Sequence, residues 1–177
     1  MSKYNIKELQ AQINEQVKVA KATKVDTSDW GEFKLSDYFN FNASPSITIS
    51  KAKEVGGDNI LVSSSGKNNG IVGMTGVDFT HEGNCLSIGS AGNSMITHYR
   101  AEPFVLSLNT LVAEPKEDFL NEYTARFLKT ILELYRVKYN YSYKITLGRF
   151  ADFTIKLPAL NGEPDWEYME NFIKNLE

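Results

Sequence analysis

The sixteen residues from Asn59 to Met74, NILVSSSGKNNGIVGM, place three serines, three glycines and a lysine between two apolar runs. Phosphate binding is the first chemistry this composition suggests, because a P-loop needs glycines that let backbone N–H groups wrap a phosphate, a lysine, and a hydroxyl for magnesium. The spacing does not fit. Leu61 occupies the position of the first glycine and Asn68 follows Lys67 where the hydroxyl belongs. A hairpin turn accounts for the geometry instead, with Val62 and Ile71-Val72 on strands and with Gly66 and Asn69-Gly70 tolerating positive φ. A turn alone does not need so many hydrogen-bonding groups, so Ser63, Ser64, Ser65, Lys67, Asn68 and Asn69 form a polar surplus in search of a ligand.

Groups for hydrolytic or transfer chemistry are sparse. His81, Glu82, Cys85 and His98 lack the paired ligand spacing of a zinc site. Cys85, between apolar neighbours, reads as a small buried residue rather than a nucleophile. The one Pro-Asp pair, Pro164-Asp165, follows both Glu-x-Lys triplets, Glu32-Phe33-Lys34 and Glu114-Pro115-Lys116, which is the wrong order for a PD-(D/E)xK nuclease. A DNA methyltransferase needs a glycine-rich cofactor loop and an Asn/Asp-Pro-Pro-aromatic tetrapeptide, and the sequence has neither. The residues thus describe a binding module, with any chemistry held by a partner.

The elements that must carry these groups follow from apolar spacing. A first helix is expected from Asn5 to about Lys21, its narrow stripe of Ile6, Leu9, Ile13, Val17 and Ala20 suiting either its own domain or a helix of another chain. Trp30, Phe33, Leu35 and Phe39 anchor a short strand and turn. Short strands are expected near 47–53, 59–64, 70–74, 84–89, 94–99 and 104–113, punctuated by glycine and asparagine. Asp118 to about Val137 has the helical period, with Leu120, Tyr123, Phe127, Leu128, Ile131, Leu134 and Tyr135 on one side and Arg126, Lys129 and Arg136 opposite. TIKLP is a last strand, and Asn161-Gly162 turns into a helix opened by Pro164, with Trp166, Met169, Phe172, Ile173 and Leu176 on its apolar side.

Charge is unevenly distributed. The formal net charge is −3, yet from Arg126 to Lys156 seven basic residues face two acids, a local excess of +5. Such asymmetry favours an anionic partner on one side of the molecule. Within that segment Tyr139, Tyr141 and Tyr143 recur at period two and share a face of an extended chain, flanked by Lys138, Lys144 and Arg149. Aromatic rings interleaved with cations suit a nucleic-acid surface, and a tyrosine-rich edge strand on the core is the other reading.

The 177 residues suffice for one domain with appended helices. A single cysteine makes an internal disulfide impossible, and the first thirty residues hold neither a signal-type nor a spanning segment, so a cytoplasmic protein that engages no membrane is expected.

From Trp30 onward the order WGEFKLSDYF, ILVSSSGKNNGIVG, GNCLSIGSAGNSMITHY, PFVLSLNTLVAEP and YKITLGRFADFTIKLPALNGEPDWEYMENFI resembles a target recognition domain of restriction-modification specificity (S) subunits, of type I or the related type IIB and IIG systems. The resemblance implies a non-catalytic protein that reads double-stranded DNA for a methyltransferase subunit and, in restriction complexes, for an endonuclease or translocase subunit. It implies no cofactor in this chain, with S-adenosylmethionine in the partner methyltransferase. Members usually carry two recognition domains separated by helical spacers, and this chain holds one. The open alternatives are a half-size protein that forms a homodimer through its helices, one half of a two-domain subunit, or a decoy.

In that light DNA is the expected ligand of the polar loop. Asparagine reads adenine bidentately, lysine reads guanine, and serine hydroxyls hold phosphates. Ser63 to Asn69 is therefore the expected DNA-contact loop, with Asn93 and Ser94 in GSAGNSM acting likewise. The expected fold is α+β: a twisted, mostly antiparallel β core with one long amphipathic helix and N- and C-terminal helices. Its expected parts are an assembly helix and joint at 1–29, the recognition domain at 30–160, and a C-terminal assembly helix at 161–177 bearing Trp166, Met169 and Ile173. Two rivals remain: an interaction module without its own sequence preference, and a small-molecule enzyme built on Ser, His and Cys.

Overall fold

The computed structural model describes residues 25–43, 47–138 and 145–176. The first-helix stripe of Ile6, Leu9, Ile13 and Val17 lies outside them, as do Tyr139, Tyr141, Tyr143 and Lys144.

Strand β1 (Gly31–Lys34) runs into a single helical turn, α1 (Leu35–Tyr38), and then β2 (Phe39–Ala43). After α2 (Ile49–Glu54) come β3 (Asn59–Val62), β4 (Ile71–Thr75), β5 (Cys85–Gly89), β6 (Thr97–Arg100), β7 (Val105–Leu106) and β8 (Thr110–Pro115). The long helix α3 (Glu122–Leu134) leads to a 3-10 turn, Tyr135–Lys138. The chain ends with α4 (Leu147–Ala151), β9 (Thr154–Leu157), β10 (Ala159–Leu160), β11 (Glu163–Pro164) and α5 (Trp166–Lys174).

A four-stranded antiparallel sheet has the order β2-β8-β5-β6, and a three-stranded sheet the order β4-β3-β7, in which β3 and β7 are parallel. β1 pairs antiparallel with β9, Phe33 opposite Ile155. Strand alternation sorts the four-stranded sheet into two faces. Leu86 and Ile88 of β5, with Leu111 and Ala113 of β8, enter the main core beneath α3. Cys85 of β5 and Val112 of β8 point the other way and meet Val62, Phe104 and Leu106 from the second sheet's side. The molecule is α+β, as expected.

Helix α3 begins where Asn121 caps it: its side-chain oxygen accepts from the N–H groups of Tyr123 and Thr124, and the Thr124 hydroxyl accepts from the Asn121 N–H at 2.8 Å. This reciprocal box fixes the start three residues later than Asp118. Its buried face holds Phe127, Leu128 and Ile131 as expected, but Ala125 and Leu132 join them, whereas Leu134 in the last turn is 66% exposed.

Helix α5 is built into the same core. Met169 is fully buried, Trp166 stacks on Phe119 with centroids 4.1 Å apart, and Ile173 packs at the core's edge. The C-terminal side chains read as assembly contacts therefore touch the domain itself, through α3.

Two expected strands differ. The 47–53 segment forms α2, because the Thr48 hydroxyl accepts the Lys51 N–H at 3.3 Å and caps a helical turn that the alternation of ITISKAK disguised. The 104–113 segment is two strands, β7 and β8, which belong to different sheets and are separated by a bend in which Asn109 takes φ 65°.

Candidate nucleic-acid interface

The polar loop joins β3 to β4 and is closed on itself. Ser63 donates its N–H to the Gly70 carbonyl at 2.9 Å, and Gly70 donates to the Lys67 carbonyl at 2.9 Å. Ser63 Oγ accepts from the Ser65 N–H at 3.2 Å, and Ser65 Oγ accepts from the Lys67 N–H at 3.1 Å. Asn68 Nδ2 donates to the Ile71 carbonyl at 3.3 Å. Such side-chain-to-backbone bonds two or three residues apart are the usual way serine and asparagine shape a turn. Positive φ falls at Asn68 and Asn69 (both 49°) and Gly70 (71°). Gly66 does not take the positive φ expected of it, and a Cβ there would lie 2.8 Å from Ile96 Cδ1, a side-chain tip that can shift.

A division of labour follows. Ser63 is 6% exposed and, with Ser65 and Asn68, builds the loop. Lys67 and Asn69 are exposed, and Ser64 is half-buried beside them.

The turn between β5 and β6 lies against this loop. Its residues Asn93 and Ser94 are held by the Gly89 N–H to Ile96 carbonyl bond at 2.8 Å and the Met95 N–H to Gly89 carbonyl bond at 2.9 Å. A Cβ on Gly89 would come within 3.2 Å of Ser64 Cβ, which marks how closely the two loops approach. Asn93 is exposed, whereas Ser94 is 5% exposed and its hydroxyl faces the Ser90 carbonyl at 3.5 Å. Two loops far apart in sequence thus share one end of the molecule.

The basic segment is divided: Arg126 and Lys129 of α3 and Arg136 after it border the two loops, whereas its later part lies apart. Lys138 ends the 3-10 turn after α3, and Arg149 is exposed on α4. Helix α4 packs on β2, Phe150 against Phe41 with centroids 5.1 Å apart, and β2 and β6 are opposite edges of the sheet. Three strand spacings, about 14 Å, separate those edges.

Between the 63–70 loop and α3 lies a groove of about 540 Å³, lined among others by Asn69, His98, Arg100, Phe104, Arg126 and Lys129. Arg126 and Lys129 come from the exposed side of α3, where Arg126 pairs with Glu122 at 2.6 Å and Lys129 with Glu133 at 3.9 Å. Arg100 is buried, donates Nε–H to Ser87 Oγ at 2.9 Å, and lies over the Phe104 ring at 5.9 Å. Burial lowers its pKa to about 10, still cationic at neutral pH. Burial likewise raises the Cys85 thiol to about 12, which removes it as a thiolate nucleophile.

His98 and Arg100 are the residues of this end that spacing did not single out as binding groups. Their signal was present in ITHYR, where a strand carries two polar side chains on one face with Tyr99 on the other. Burial holds the His98 pKa below 6.5, with Arg100 and Lys129 acting in the same direction and the Ser65 carbonyl and Glu133 opposing. The folded state therefore binds fewer protons than the unfolded chain, so His98 contributes stability that is complete above pH 6.5 and is lost as the pH falls through its lowered value. The melting temperature is expected to decline as the pH falls below 6.5, less steeply in His98→Gln, which thermal melts on both sides of that pH will measure.

The α+β frame thus carries two adjoining polar loops, one with its outward groups separated from those that build it. Residues 27–177 match the family of type I restriction modification DNA specificity domains, and the chain belongs to that family. It is 28% identical over 150 residues to the type II restriction enzyme BgcI specificity subunit S.BcgI of Heyndrickxia coagulans, covering 84% of this chain and 43% of that protein. The fold is similar to the type I restriction-modification S subunit of M. genitalium, with TM-score 0.60 and 16% identity over 93% of this chain and 43% of that one. It is also similar to the HsdS subunit of Thermoanaerobacter tengcongensis, with TM-score 0.64 and 11% identity over 97% of this chain and 46% of that one. The chain thus spans less than half the length of each of these relatives.

Proposed function

We propose that the chain is the DNA-reading domain of a specificity subunit: it binds double-stranded DNA at a particular sequence, carries out no chemistry, and directs a partner methyltransferase to that site. The observation that carries this reading is the loop pair. Ser63, Ser65 and Asn68 are occupied in shaping one loop, which leaves Lys67 and Asn69 to face outward beside Ser64 and Asn93. Lysine and asparagine held on a rigid turn have the donor and acceptor pattern that reads guanine and adenine edges in the major groove. Ser94 supports the neighbouring turn. S-adenosylmethionine belongs to the methyltransferase, and an endonuclease or translocase subunit joins in a restricting complex, all in the cytoplasm.

Assembly falls to the stripe of Ile6, Leu9, Ile13 and Val17, which pairs with a helix of a second copy or of the other half of a two-domain subunit.

Co-expression with the methyltransferase encoded beside it, followed by mapping of methylated bases, tests the function directly. One short motif methylated only when this chain is present supports it. Partner binding that confers no sequence preference assigns the chain to a decoy class instead.

The basic segment has its own expected outcome. Lys144→Ala and Arg149→Ala each weaken binding to all duplexes and reduce the slope of log affinity against log salt by roughly one. Titrations at several salt concentrations measure this, and parallel slopes for wild type and variants remove these two residues from the interface.

A further inference from the structure

Two side chains of β6 sit behind the outward surface and touch the loop from within. His98 is 4% exposed and Arg100 is 5% exposed. They are two residues apart on one strand face, and each meets a different half of the 63–70 loop. His98 Nε2 lies 2.8 Å from the Ser65 carbonyl. A carbonyl only accepts, so Nε2 carries the hydrogen. His98 Nδ1 is then a buried acceptor with no partner among the described residues. Arg100 holds Ser87 through Nε, but its Nη2 is buried and has no partner among them either. That Nη2 lies only 2.6 Å from where a Cβ on Gly70 would be, so the guanidinium fills the space beneath Gly70.

These contacts run between sheets. The loop belongs to the sheet β4-β3-β7, and His98 and Arg100 belong to the edge strand of β2-β8-β5-β6. Apolar side chains would join the sheets with less desolvation, because a buried guanidinium with no ion-pair partner among the described residues is costly. Costly polar groups that persist around one segment are the signature of a position that must be specified rather than merely filled.

We propose that His98 and Arg100 are positioning residues: together they latch the 63–70 loop to β6 and fix the direction in which Lys67 and Asn69 face the ligand. His98 holds the ascending half by its bond to Ser65, and Arg100 bears on the descending half at Gly70. The latch rests on the loop's reading of DNA for its purpose, but its mechanics are independent of DNA.

The full chain is studied as wild type, His98→Ala, His98→Gln, Arg100→Met, Lys67→Ala and Asn69→Gly. Glutamine keeps a side-chain N–H donor of similar reach, and methionine keeps an unbranched stem over Phe104 while removing the charge. Three quantities are measured: amide hydrogen exchange, melting temperature, and competition between a duplex selected by the wild-type chain from a randomised pool and its single-mismatch versions.

In His98→Ala and Arg100→Met, exchange at the Ser65, Lys67 and Gly70 amides rises by about tenfold or more, while exchange in β5 and β8 is unchanged. Discrimination falls about tenfold with binding to a scrambled duplex preserved. His98→Gln stays near wild type, and Arg100→Met melts no lower than wild type because the buried charge is gone. Unchanged loop exchange in Arg100→Met and His98→Ala overturns the latch, as does a His98→Gln variant that behaves like His98→Ala. Should His98→Ala fail to fold, the Gln and Met variants decide. Faster loop exchange in the His98→Ala and Arg100→Met variants with full discrimination in Lys67→Ala and Asn69→Gly keeps the latch but removes DNA reading from this loop.

Discussion

Gly70→Ala is expected to destabilise the domain by about 2–5 kcal/mol, combining left-handed backbone strain with overpacking of a closed site. At φ 71° the new Cβ would lie 2.6 Å from Arg100 Nη2, 2.9 Å from the Ser63 carbonyl oxygen and 3.0 Å from His98 Cδ2. None of the three yields easily. Arg100 and His98 are buried, and the Ser63 carbonyl is backbone. Gly92 supplies the control: its φ is 72°, yet nothing lies within 4 Å of a Cβ built there. Gly92→Ala should therefore show the backbone strain alone, about 1–2 kcal/mol. Urea unfolding of both variants measures the difference, and equal losses at the two glycines would mean that Gly70 is not enclosed by Arg100 and Ser63.

The second large effect separates two adjacent asparagines. Both have φ 49°, so glycine is the appropriate replacement, since it removes the side chain without penalising the backbone. Asn69→Gly is expected to reduce discrimination between the cognate duplex and a single mismatch by about 1–3 kcal/mol, with scrambled-sequence binding unchanged. Asn68→Gly is expected to lower stability by about 1 kcal/mol, because its amide donates to the Ile71 carbonyl within the turn. Competition assays beside denaturation curves test the pair. A loss of discrimination confined to Asn68→Gly would reverse the assignment.

The two asparagines also show where sequence reading stops. The composition of SSSGKNN revealed a polar loop with more hydrogen-bonding groups than a turn requires. It did not reveal that Ser63, Ser65 and Asn68 bond to the loop's own backbone, because that depends on which backbone groups the strands leave unpaired. Helices α3 and α5 were legible from apolar spacing, which reports burial directly. Helix α4 was not: LGRFA is short, follows a tyrosine run that suits an extended chain, and owes its start to Thr146, whose hydroxyl accepts the Arg149 N–H at 3.4 Å. The parallel pairing of β3 with β7 and the depth of His98 and Arg100 beneath the loop depend on contacts between distant segments. No local pattern encodes them.

The pairing of β1 with β9 bears on how the chain is made as well as on how it is held. Gly31 aligns with Leu157 and Lys34 with Thr154, so the first described strand has no partner until synthesis has passed nearly the whole domain. β3 pairs locally with β4 and lacks only its second neighbour β7, while the β5–β6 hairpin and α3 need only local contacts. Because distant pairings carry their loop-closure entropy before they are rewarded, the hairpin and helix are expected to form first and the β1–β9 pair to close last. A nascent or truncated chain that stops short of Ile155 presents Phe33 on an unpaired strand, an open edge for another unfinished copy to join.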